Sequence, residues 1–281
     1  MDDAPTLSWT NTDIEHRFAF RGGRFTRVNT LFTLLNGVLL TIVFFLVLIP
    51  LEGTYFHAMF THRGPVPYSI VGFFFWSLSI LVVKAHKLAL QRKALPLMVV
   101  PDDPEFVLSP TTVDDVLANI YRAVDDPKHF VLFNRIVIAL SNLKNLGRVS
   151  DVDEILRSQA SHDESAMETS YLMLQVFVWA IPVLGFIGTV LGLSQAIGGF
   201  GGVVATTTEM SELRPALQEV TAGLATAFET TLEGLVAALA VQLMLTALRK
   251  TEEEFLDACS DYTIRHLVGR LRLMPYQPRE D

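Results

Sequence analysis

The stretch Leu31–Leu51 carries no charged side chain, and the first charge after it is Glu52. At 1.5 Å rise per residue, a helix of about twenty apolar residues crosses a hydrocarbon core of about 30 Å. Three further apolar blocks follow. Tyr68–Val83 is shorter and aromatic, with Phe73, Phe74, Phe75 and Trp76. It reaches a comfortable spanning length by taking in Val66 or by running past Lys84 with that lysine snorkelling. Tyr171–Ile197 has no charged side chain, and Val220–Leu248 is apolar except for Glu229, Glu233 and several threonines. The bilayer core holds no water to satisfy backbone groups, so each block is expected to be helical. Composition agrees, with 50% hydrophobic and 19% charged residues, against about 25% charged in ordinary soluble domains.

The expected fold is therefore an all-α integral membrane protein with four transmembrane helices in a lipid bilayer. Its segments are 1–30, span one at 31–51, span two at 66–84, a helical domain at 85–170, spans three and four within 171–248, and a tail at 249–281. Basic residues set the direction. Arg17, Arg21, Arg24 and Arg27 precede span one; Lys84, Lys87, Arg92 and Lys93 follow span two; Arg249 and Lys250 follow span four. The two opposite connections hold only Arg63 and Arg214 as fixed cations. By the positive-inside rule, both termini and the 85–170 domain are expected in the cytoplasm. No short apolar core followed by a small-residue cleavage site marks a removable signal peptide. The one cysteine, Cys259, excludes an intrachain disulfide and fits a reducing compartment.

Within 85–170, Pro96, Pro101 and Pro104 break the chain after span two. Ser109 and Pro110 before Asp114 and Asp115 predict a helix start. A second helix is expected over Phe130–Leu146, ending at Gly147. Ser150 with Asp153 has the spacing of a capping box, for a helix running unbroken into span three.

The polar side chains of spans three and four carry the chemistry. On a helical wheel Thr226, Glu229, Thr230, Glu233 and Ala237 share an arc of about 100°, opposite Leu224, Phe228, Leu232, Leu235 and Leu239. The polar arc is expected to face water, an ion or a polar partner. Carboxyls at membrane depth are expensive and so point to function, and burial favours their protonated form, within range of proton exchange. On span three Gly185, Thr189, Gly192 and Ala196 share a side, with Gly188 at its edge. Small residues there allow close helix packing.

Other features point elsewhere. Net charge is −8, which argues against nucleic acid as a partner. Gly198–Gly202 lacks the Lys and Ser/Thr of a phosphate loop and reads as a flexible turn. His57 and His62 have no further ligands beside them for a metal. No nucleophile–base pairing suggests an enzyme, and no cofactor is expected.

The run Ile181-Pro-Val-Leu-Gly-Phe-Ile-Gly-Thr-Val-Leu-Gly-Leu193 resembles the signature of the MotA/TolQ/ExbB proton channel family. Gly223-Leu-Ala-Thr-Ala-Phe-Glu-Thr-Thr-Leu-Glu-Gly-Leu235 resembles its second half. The resemblance covers roughly residues 170–255. It implies a homo-oligomer, a ring of five copies in a bacterial cytoplasmic (inner) membrane, whose third and fourth spans line a pore. It also implies a single-span partner of the ExbD/TolR/MotB type with an Asp in its membrane helix. Protons flowing down the gradient would rotate or shift that partner, so that the chain acts as a stator subunit; sodium is chemically admissible as the coupling ion. By position Thr189 and Thr231 match the family's pore-associated threonines. Thr226 stands where ExbB-type members carry a Glu, which places the carboxylate one turn away at Glu229. The four spans resemble MotA, whereas the local sequence of spans three and four resembles ExbB and TolQ. The competing reading is a non-conducting membrane scaffold that anchors a multiprotein complex.

Overall fold

The computed structural model describes residues 7–20, 22–101, 106–109, 111–146, 149–206 and 210–271. Among them the chain is helical, and no strand forms beyond the isolated bridges Leu7–Val124 and Leu108–Leu271. Two short helices, α1 (Trp9–Thr12) and α2 (Ile14–Arg17), lead into α3 (Thr30–Leu48). Then come α4 (Tyr55–Thr61), α5 (Val66–Arg92), α6 (Val113–Ala123), α7 (Val131–Leu146), α8 (Val149–Ser170), α9 (Leu172–Thr206) and α10 (Met210–His266). Four helices are long and apolar enough to cross a membrane, and they include α3, α5, α9 and α10.

Contacts divide the chain into two compact units. The apolar unit comprises 30–82 and 171–247. Its helices carry exposed leucine, valine and phenylalanine side chains, including Leu39, Leu46, Phe186, Phe228 and Leu239. Surface of that kind suits hydrocarbon rather than water. Spans one and two meet where a Cβ on Gly37 would lie 2.7 Å from the Trp76 Cα. There Asn36 Nδ2 donates to Ser79 Oγ at 3.1 Å and Trp76 Nε1 to Thr33 Oγ1 at 3.4 Å.

The second unit comprises 1–29, 83–170 and 248–281. Its core is built on α7, whose Leu132, Phe133, Ile136, Ala139 and Leu140 are fully buried, with Val116 and Ile120 of α6 and Phe255 and Cys259 of α10. Buried cations tie its distant segments together. Lys87 Nζ donates to Glu15 Oε2 at 2.5 Å and to the Arg27 carbonyl at 2.9 Å. Lys84 Nζ reaches Glu252 Oε2 at 3.0 Å and Ser170 Oγ at 2.9 Å, and Thr26 donates to the same Glu252. Arg135 pairs with Asp163 at 2.6 Å and donates to Ser260 Oγ at 3.0 Å. Removing one member of such a buried pair costs about 3–5 kcal/mol, because the other charge is stranded.

Several boundaries differ from expectation. Span two extends from Val66 to Arg92, and Lys84 does not snorkel, because the buried Glu252 carboxylate holds it; Lys87 is likewise held by Glu15. Helix α9 continues to Thr206 through the glycine stretch read as a flexible turn. Each glycine disfavours helix by about 1 kcal/mol, and the helix continues through the stretch all the same. The helix from α8 runs on into span three as expected, one helical run over Asp151–Gly198 with a single turn residue at Tyr171. The neighbouring Ser170 hydroxyl donates to the Met167 carbonyl at 2.6 Å and so competes with the backbone ladder. Helix α8 begins at Val149, one residue before the expected cap. Helix α6 begins at Val113, with Thr112 Oγ1 accepting from the Ser109 amide at 3.0 Å. Arg21, Pro104, Pro110, Gly147 and the Ser150 side chain lie outside the described residues.

Asp125 fastens the N-terminal segment, accepting from Ser8 Oγ, the Trp9 and Thr10 amides and Thr10 Oγ1 at 2.8–3.1 Å. Burial alone would raise its pKa, but those four bonds outweigh burial and hold the carboxyl at about 2. A carboxyl held below its ordinary value of 3.8 stabilises the fold above that pH and loses its contribution as pH falls toward about 2. Trp9 fluorescence is therefore expected to shift between about pH 4 and pH 2. In Asp125→Asn the shifted signal should already be present at neutral pH.

Candidate functional site

Helices α9 and α10 cross with their backbones nearly touching. A Cβ on Gly185 would lie 2.9 Å from the Thr230 carbonyl oxygen, and one on Gly192 would lie 2.7 Å from the Ala227 amide nitrogen. A Cβ on Gly223 would lie 2.8 Å from Ala196 Cβ, and one on Gly234 would lie 3.0 Å from the Ile181 carbonyl oxygen. Gly188 sits directly against the Thr230 side chain. Small residues on both helices allow this approach, and hydroxyls then bond across it.

Thr189 and Thr231 share a hydrogen bond between their hydroxyls. Around that pair, Thr189 Oγ1 lies 3.1 Å from the Ala227 carbonyl, and Thr231 Oγ1 lies 3.0 Å from Ala227 O and 3.3 Å from Gly185 O. Thr230 is fully buried, its hydroxyl 2.8 Å from the Thr226 carbonyl. Thr226 is half-buried and lines a cleft of about 180 Å³ with His62, Arg63, Gly188 and Gln195.

The carboxyls of span four lie elsewhere. Glu229 is buried, and Arg63 holds it from two nitrogens, Nε to Oε2 at 2.6 Å and Nη2 to Oε1 at 3.0 Å. Tyr55 donates its hydroxyl to Oε1 at 2.9 Å. Helix α4 brings in Tyr55, with Thr54 Oγ1 accepting from the His57 amide at the helix start. Gly53 and Gly64 flank this connection with φ of +88° and +78°, a backbone region open mainly to glycine. One turn on, Glu233 is 5% exposed and neither of its oxygens has a hydrogen-bond partner among the described residues. It borders a cavity of about 360 Å³ walled by Phe44, Phe56, Phe60, Phe74 and Phe75.

The polar arc thus does not present one open face. Glu229, Thr230 and Glu233 are buried within the apolar unit, and the exposed side of α10 is the leucine and phenylalanine side. The structure brings Thr189 and Thr231 together and gathers Glu229 and Glu233 beneath the 52–65 connection, but it does not join the two groups in one site. Arg63 and Tyr55 were not legible as site residues. The available signal was a lone arginine between two apolar spans, in a chain with carboxyls at membrane depth. His57 and His62 stack edge to face at 5.5 Å, and no group of metal ligands forms among the described residues.

Comparison with known proteins supports the resemblance. Residues 131–260 match the MotA/TolQ/ExbB proton channel family. The matched region starts at the head of α7 and takes in α8, α9 and most of α10, so the relationship reaches well beyond the two signature spans. No curated protein and no solved structure matches the chain. Together with four apolar helices, the match to a channel family supports a multi-pass membrane protein with a proton channel-type role.

The crossing sets a test of packing. Forcing a methyl group against backbone costs about 1–3 kcal/mol, so Gly192→Ala and Gly223→Ala should each lower the melting temperature of the detergent-solubilised protein. Gly72→Ala, with nothing within 4 Å of the new methyl group, should leave it unchanged or slightly raised.

Proposed function

We propose that the protein is the channel-forming stator subunit of a proton-driven machine in a bacterial cytoplasmic membrane. Five copies form a ring in which spans three and four of each line a pore around a single-span partner of the ExbD/TolR/MotB type. An Asp in the partner's membrane helix carries protons through, and the gradient drives rotation or displacement of the partner. Thr189, Thr226, Glu229, Thr230, Thr231 and Glu233 form the proton pathway on this chain. The proton is the coupling ion favoured by a pathway of hydroxyls and carboxyls, and the chemistry is transport rather than catalysis.

One observation carries the reading: the family match spans both helices of a glycine-lined crossing at which two threonine hydroxyls meet. Hydroxyls donate and accept at once, as passing protons require. Exposed apolar side chains on α9 and α10, such as Phe186, Leu191, Phe228 and Leu232, suit contacts with neighbouring copies and lipid. The basic segments beside the spans favour cytoplasmic termini.

The test is proton flux in proteoliposomes loaded with a pH-sensitive dye, using protein purified with its bound partner. Wild type should conduct only with the partner present. Thr189→Val with Thr231→Val should lower flux about tenfold, the effect of losing roughly one net hydrogen bond, with the oligomer intact. Glu229→Gln should also cripple flux without dissociating the assembly. Absence of flux from the partner-bound wild type would leave the scaffold reading instead.

A further inference from the structure

Span four carries two buried carboxyls on one face, about 6 Å apart along the axis at 1.5 Å per residue, and one guanidinium serves them. Arg63 holds Glu229 through two nitrogens, and Tyr55 adds a third donor. Glu233 has no hydrogen-bond partner among the described residues. Phe44, Phe74 and Phe75 from spans one and two, and Phe56 and Phe60 from α4, bring it no charge. The charged groups that act on it are Glu229 and Arg63.

Two carboxylates against one guanidinium, buried among phenylalanines, would leave a negative charge without a counter-ion, at a penalty of several kcal/mol. A single proton between the carboxyls makes the cluster neutral, since like charges in one site do not both stay ionised. Bidentate pairing marks Glu229 as the anion, so the proton lies on Glu233.

We propose that Arg63, Glu229 and Glu233 form a one-proton relay, with Arg63 as the positioning residue that sets which carboxyl holds the proton. The inference rests on the conduction reading above and adds to it a residue outside the signature spans. In the transfer, the O–H bond on Glu233 breaks as one forms on Glu229, and the guanidinium moves its two N–H···O bonds from Glu229 to Glu233. The cluster holds one proton and no net charge before and after. The residues sit an i, i+4 step apart, with Cβ atoms about 5–6 Å from one another. Gly64 follows Arg63 with nothing within 4 Å of the position a Cβ would take, so the backbone beside the arginine has room to adjust.

Infrared difference spectra of the full-length protein in detergent read the relay directly, because the carbonyl stretch of a protonated carboxyl is distinct from that of a carboxylate. Glu233→Gln should remove one protonated-carboxyl band from the wild-type spectrum, and Glu229→Gln should remove it too, because Arg63 then holds Glu233 as the anion. Arg63→Gln should add one band, and Arg63→Lys should restore the wild-type number. In partner-bound proteoliposomes Arg63→Gln should lower flux about tenfold or more, with partial recovery in Arg63→Lys. Should Arg63→Gln not fold, the Arg63→Gln, Glu229→Gln pair strands no charge, and it should keep the Glu233 band and lose flux. If Glu233→Gln removes no band, or Arg63→Gln leaves bands and flux at wild-type values, the relay is overturned while wild-type flux keeps the channel reading standing. If the bands behave as expected and wild type carries no flux, the channel reading falls and the relay falls with it.

Discussion

The crossing of α9 and α10 at backbone contact is the constraint from which the apolar unit follows. Gly185, Gly188 and Gly192 lie against Thr230, Ala227 and Gly223, so that face of α10 is committed to α9. Residues one step round the helix, Glu229 and Glu233, then point to a different neighbour, because successive residues are rotated by about 100°. The neighbour is the 52–65 connection, where Arg63 and Tyr55 meet Glu229. One helix thereby carries hydroxyl chemistry on one side and carboxyl chemistry on another.

The second unit obeys the same electrostatic demand by other means. Lys84, Lys87 and Arg135 are almost wholly buried, and each faces a carboxylate from another segment of the chain. Such pairs are weak as sources of net stability but costly to break. They fix which segments belong together: residues 13–15 with the end of α5, Glu252 with Lys84, and α7 with α8.

Spans, helical class and the α9–α10 signature were legible because they depend on local quantities: length of apolar run, absence of charge, and spacing of small residues. Thr189 and Thr231 could be named from the resemblance, although Thr231 is not among the residues of the polar arc. Their hydroxyls meet because Thr231 sits beside the crossing, at the edge of the glycine face, and not on the carboxyl side. The glycine stretch Gly198–Gly202 misled for a local reason as well: glycine by itself disfavours helix, yet α9 runs through it.

Sequence alone determined that this chain has four membrane-length helices and resembles, over spans three and four, the proton channel family, since hydrophobic length and motif order survive without coordinates. Only tertiary structure decided the partners of the buried charges. A lysine after a span reads as a topology marker, and an arginine in a short connection reads as a stray cation. Whether either is solvated or locked to a carboxylate more than a hundred residues away depends on which helix faces meet, and periodicity along one segment carries no information about that.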